Sequence, residues 1–106
     1  MSQPNVGVPP FRVVYSGACR EEVRNVLQRA VAKGRSAEIG RAIADIDTRL
    51  KWIPLDFGEP LRDYLDLELQ ELVGMVQPFV VTYAVDESRR LVYVLIPFKL
   101  LPNSGL

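Results

Sequence analysis

Residues 78–98 read PFVVTYAVDESRRLVYVLIPF, and the fold turns on how this stretch is read. Two apolar runs, Phe79 to Val85 and Leu91 to Phe98, are rich in Val, Leu, Tyr and Phe and flank the charged knot Asp86-Glu87-Ser88-Arg89-Arg90. That is the pattern of a β-hairpin. Neighbouring positions are apolar in both runs, so side chains on both faces of each strand call for burial, which predicts two central strands. The turn contains neither Asn-Gly nor Asp-Gly. A three-residue loop closing on Asp86 and Arg90 therefore fits at least as well as a two-residue one, and it would set Tyr83 opposite Tyr93 and Val81 opposite Leu95.

Working outward, 106 residues make one domain, long enough to bury a core without disulfides or a metal. Hydrophobic residues at 48% and charged ones at 25% give an ordinary globular balance, and no apolar run reaches the roughly 18 residues of a membrane span. Residues 1–10, with three prolines and no apolar core segment, read as a flexible lead-in rather than a signal or transit peptide, and the expected location is the cytoplasm. The single Cys19 cannot close an internal disulfide, and a chain without His offers no zinc cluster and no cofactor motif. The missing His also removes the commonest general base and every Ser-His or Cys-His nucleophile pair. Thirteen basic residues balance thirteen acidic ones, whereas a nucleic-acid clamp carries an excess of Lys and Arg.

Upstream of the hairpin, Phe11-Arg12-Val13-Val14-Tyr15 reads as a short edge strand, with Phe11, Val13 and Tyr15 on one face. Ser16 is a fair N-cap for a helix from about Ala18 to Lys33, whose stripe is Cys19, Val23, Val26, Leu27, Ala30 and Val31, with Gly34 as its left-handed stop. Ser36 is read as the cap of a second helix whose seam steps through Ile39, Ile43, Ile46, Leu50 and Ile53 to a stop at Pro54. Two helices joined by so short a linker form an αα-hairpin. Leu55 to Pro60 reads as a loop, in which Asp56 and Glu59 are a conceivable acid/base pair but more ordinarily solvated carboxylates. From Leu61 to Gln77 the alternation of Leu65, Leu67 and Leu69 with Asp66 and Glu68 predicts a strand with a break near Gln70-Glu71, although Leu61, Leu65, Leu69 and Leu72 would also suit a helix. The tail from Lys99 is too short for another element. The expected architecture is α+β: strand, αα-hairpin, then three antiparallel strands, with the helices on one face of the sheet. Residues 11–99 form the domain and 100–106 the tail.

The opening strand FRVVYS, the two helices, the Leu50 to Pro60 segment and the closing strands FVVTYAV and RLVYVLI resemble the RelE/ParE superfamily, the toxin halves of bacterial type II toxin–antitoxin and plasmid-stabilisation modules. The resemblance implies a cytoplasmic protein held by an antitoxin and directed at the ribosome, as a ribosome-dependent endoribonuclease, or at gyrase. The nucleases of that family place an Arg in the strand leading to a Tyr, and further Arg and a Tyr beyond the last strand. If Tyr83 matches the strand Tyr, the Arg position holds Val80, and beyond the last strand only Lys99 stands near where a scissile phosphate would lie. One Lys without a base gives weak transition-state stabilisation, so the residues predict action by binding rather than RNA cleavage. Candidate partner- or target-binding residues are Arg89 and Arg90 at the hairpin tip, Trp52 at the end of the second helix, and Lys99. The competing expectation is a non-toxic interaction module on the same scaffold, a homodimer that uses its first strand or exposed helix face.

Overall fold

The structure, a computed structural model, describes residues 7–106; the start of the expected lead-in, 1–6, lies outside the described residues. Strand β1 (Arg12–Tyr15) leads into helix α1 (Gly17–Ala32), then helix α2 (Ser36–Trp52) and a single helical turn α3 (Pro54–Phe57). Strands β2 (Glu59–Tyr64), β3 (Leu69–Val76), β4 (Phe79–Asp86), β5 (Leu91–Val94) and the two-residue β6 (Lys99–Leu100) follow. The sheet order is β1-β5-β4-β3-β2, with β6 pairing against β4. Strand β1 lies parallel to β5 at one edge, and the other pairings are antiparallel. The domain is thus α+β with a mixed sheet, and β4 and β5 are central strands as their composition predicts.

Ser16 caps α1 as expected: its Oγ accepts the Cys19 N–H at 3.0 Å and donates to the Leu95 carbonyl at 2.8 Å, which ties the helix start to the end of β5. Gly34, at φ +68°, provides the left-handed stop. Arg35, not Ser36, occupies the capping position of α2, and it makes no side-chain cap; Ser36 is already the first helical residue. Ile39, Ile46 and Leu50 are fully buried, while Ile43 and Ile53 sit half-buried at the margin of the seam. Val31, read as part of the α1 stripe, is 65% exposed. On the outer side of α2, Asp45–Arg49 at 3.0 Å and Asp47–Lys51 at 2.8 Å close four-residue ion pairs.

Three sequence expectations are corrected. The segment Leu55–Pro60 is not a simple loop: Pro54 opens the short helix α3, as proline does at a first helical position, and β2 begins at Glu59. The strand expected from Leu61 to Gln77 is two strands, β2 and β3, and its break falls at Leu65–Glu68 and not near Gln70-Glu71. Leu65–Leu67 form a 3-10 turn between β2 and β3, closed by Glu68 at φ 54°, a left-handed conformation usually left to Gly or Asn, so no turn signal marks it. Four antiparallel strands therefore follow the helices instead of three, and the tail adds β6 beside Phe79 and Val80.

The central hairpin has a four-residue loop, Glu87–Arg90, and pairs Asp86 with Leu91, Val85 with Val92 and Ala84 with Tyr93. The Asp86 carboxylate accepts from Ser88 Oγ at 2.9 Å and from the Arg89 N–H at 3.1 Å, and Arg90 turns through φ 52°. This side-chain-built turn shifts the register one residue from the expected one. A one-residue shift exchanges faces, so Tyr93 lies on the opposite side of the sheet from Tyr83. Phe79, Val81, Tyr83 and Val85 of β4 and Val92 and Val94 of β5 face the helices and join Cys19, Val26, Ala30, Ile39, Ile46 and Leu50 in the core.

Candidate functional site

The opposite face of the sheet has no covering layer among the described residues. Register places Leu69, Glu71, Val73 and Met75 of β3, Val80, Thr82 and Ala84 of β4, Leu91 and Tyr93 of β5, and Val14 of β1 on that side. They are half-buried, except Met75 at 56% exposed. The thinnest dimension of the molecule, 22 Å, accommodates one helix layer on the sheet and no second one. Apolar side chains fill the middle of this face; Arg62, with its Nε 3.5 Å from Glu71, and exposed Lys99 and Arg12 stand at its margins. Leu95 and Ile96, 62% and 48% exposed, extend the apolar surface past the end of β5.

The expected site residues do not converge on one place. Lys99 pairs with Val80 at the far end of β4 from the Glu87–Arg90 loop, six residues or roughly 20 Å along the strand. Arg89 is exposed at the tip with Nη1 3.6 Å from Asp86 Oδ2. Arg90 is a structural clamp and not a free contact: its guanidinium donates to the Pro9 carbonyl at 3.0 and 2.6 Å and lies 4.1 Å from the centre of the Phe11 ring. Its backbone carbonyl accepts the Arg12 N–H at 2.9 Å and so extends the β1–β5 pairing. Trp52 is half-buried and shares a shallow hollow of about 190 Å³ with Arg90, Phe11 and Leu55. Asp56 and Glu59 are both exposed, on separate elements either side of Gly58.

Tyr83 is also structural. Its hydroxyl donates to the Pro54 carbonyl at 2.6 Å and accepts the Gly58 N–H at 2.9 Å, while its ring stacks on Phe57 with centroids 5.8 Å apart. Burial pushes its phenol up from near 10 to about 12, against the opposing pull of the Gly58 N–H. A hydroxyl engaged in this way holds α3 against the sheet and is closed to substrate. The approach is so tight that a methyl on Gly74 would lie 2.5 to 2.9 Å from the Phe57 ring. On the other side of the helix layer, Tyr15 donates to Asp47 Oδ1 at 2.6 Å; burial first, and that bond next, raise its phenol. Burial likewise raises the Cys19 thiol, which suits a core residue rather than a nucleophile.

The sequence marks this face through apolar residues on both sides of β4 and β5; that the described residues leave it uncovered is visible only once the two long helices are placed. No protein-family model, characterised protein or solved structure matches this chain. Among the described residues, no helix is long and apolar enough to cross a membrane.

Proposed function

We propose that the chain works by binding, as a non-nucleolytic RelE/ParE-like toxin held by an antitoxin segment laid across the uncovered face of its sheet. One observation carries the reading: β4 and β5 are apolar on both sides, as strands buried on both sides are, yet the described residues cover only one side. The order strand, two helices, antiparallel strands supports the RelE/ParE likeness. The structural employment of Tyr83, the Val80 at the Arg position and the isolation of Lys99 support binding over cleavage.

Expression from a tightly repressed promoter, with and without the small reading frame beside its gene, tests the proposal. Growth should stop in the first case and recover in the second. Thr82→Arg, at the middle of the face, should abolish the recovery and leave the arrest in a protein that melts like the parent. Normal growth in both arms overturns the toxin reading; a Thr82→Arg protein that behaves as the parent overturns the role of the face.

A further inference from the structure

The β2–β3 hairpin ends in an apolar knob. Leu65 and Leu67 in its turn are 83% and 64% exposed, Leu61 is 52% exposed, and Tyr64 beside them is 37% exposed. Exposed leucines on a tight turn lose nothing by being polar unless something covers them. Asp63, Asp66 and Glu68 flank the two leucines in sequence, and the one basic residue of the hairpin end, Arg62, lies over the Tyr64 ring at 6.0 Å and 3.5 Å from Glu71, so the turn is apolar at its tip with an acidic excess beside it.

A matching recess lies at the other side of the molecule. Between α1 and α2 opens a cleft of about 450 Å³, walled by Val23, Leu27, Gly40 and Ile43 and floored by Phe98. Gly40 sits inside α2, where glycine costs about 1 kcal/mol relative to alanine, yet a methyl there would meet nothing within 4 Å. Packing within this chain does not require the glycine, and the space beside it is open. The exposed Val31 continues the Val23–Leu27 row at four-residue spacing, and exposed Arg20 and Arg24 border that row on α1. The one carboxylate in the cleft, Asp47, is already engaged by Tyr15 and by Lys51. The cleft is therefore apolar within and carries guanidinium groups along its α1 rim.

We propose that the acidic leucine knob of one copy seats in the arginine-bordered α1–α2 cleft of a second copy, which builds a head-to-tail homo-oligomer. Apolar tip meets apolar cleft, and the acidic excess meets the basic rim. The two cannot meet within one chain: the knob extends from β2, and the cleft lies beside β1, at opposite edges of the five-strand order. A contact between two different patches is heterologous, so an open assembly keeps one free knob at one end and one free cleft at the other, and association continues until a ring closes or a filament grows. The contact through Leu65 and Leu67 borders the uncovered sheet face only at Tyr64, which pairs with Leu69, and it does not depend on the toxin reading.

Two variants isolate the two halves. Leu65→Glu with Leu67→Glu removes the knob and leaves the cleft; Gly40→Leu fills the cleft and leaves the knob. Sedimentation and light scattering of the full chain should show mass rising with protein concentration, and each variant alone should remain monomeric. An equimolar mixture of the two variants should form a one-to-one dimer and nothing larger, because only one knob and one cleft remain intact, and added salt should weaken it. Circular dichroism and thermal melting confirm that both variants are folded; should Gly40→Leu not fold, Ile43→Glu replaces it in the mixture. A parent that stays monomeric to about 1 mM, the weak end of specific association, overturns the proposal. Association that survives in either variant alone, that fails to reappear in the mixture, or that is abolished only by Thr82→Arg overturns it equally.

Discussion

Replacing Tyr83 by Phe tests the claim that this tyrosine is a structural lock. The ring stays and continues to stack on Phe57, so the substitution removes only the hydroxyl. Two hydrogen bonds go with it, and the Pro54 carbonyl and the Gly58 N–H lose their partner at a site where Tyr83 is 2% exposed. Two net bonds at about 0.5 to 1.5 kcal/mol each, with part of the cost of leaving buried groups unpaired, amount to about 2 to 3 kcal/mol. For a domain of this size that corresponds to a fall in Tm on the order of 10 to 20 °C. Urea denaturation followed by circular dichroism gives the free energy directly, and the m value should not change. The pH dependence supplies an independent readout. The folded state holds the Tyr83 proton up to about 12, whereas the unfolded chain releases it near 10. This contribution to stability is complete below about pH 10 and is lost as pH rises toward 12, with a slope of roughly 1.4 kcal/mol per pH unit in that window. Tyr83→Phe should flatten the alkaline decline but not abolish it, because the raised Tyr15 phenol acts in the same direction. A loss below about 0.5 kcal/mol, or an unchanged alkaline slope, would refute the lock and return Tyr83 to the list of available hydroxyls.

Gly74→Ala should cost about 1 to 3 kcal/mol in the same denaturation assay, because the added methyl collides with the Phe57 ring; a neutral result would mean that α3 is free to shift. Ile46→Ala, in the middle of the α2 seam, should cost about 2 to 4 kcal/mol through the cavity it leaves, and a loss below about 1 kcal/mol would contradict its complete burial. Lys99→Ala should leave cellular transcript lengths unchanged and alter growth inhibition only by weakening a contact. Position-specific cuts in ribosome-bound messenger RNA that disappear in that variant would restore the nuclease reading.

Much of the fold follows from local rules that act within a few residues. Ser16 and Gly34 bracket α1 through a side-chain cap and a positive φ, and the buried positions of α2 recur at the spacing of one helix face. The errors fall where conformation depends on something outside the local pattern. Glu68 and Arg90 both adopt left-handed backbone without being Gly or Asn, so the two turns they close carry no compositional mark. In the central hairpin the Asp86 side chain builds the turn, and the resulting register shift moves Tyr93 away from Tyr83. At the β2–β3 turn, leucines alternating with acids gave the period of a half-buried strand. Alternation reports which residues share a face but not whether anything covers it.

The same limit explains why the candidate surfaces were harder to read than the fold. The free energy of removing a methyl group from water is non-directional and does not depend on whose atoms exclude the water. Val80, Tyr93 and Val14 therefore satisfy the same sequence pattern whether a third layer of this chain covers them or another molecule does. The discrepancy becomes visible only once the helices are placed: among the described residues two long helices cover one side of the sheet, and the apolar demand on the other side is left unmet. Leu65 and Leu67 are the sharper case, because an interior explanation for them would need the turn itself to be buried, and a buried turn would strand the backbone polar groups that a tight turn leaves unpaired. An exposed apolar turn in an otherwise well-satisfied domain thus has no interior explanation, and the proposed contact with the α1–α2 cleft of a second copy is the one that would cover it.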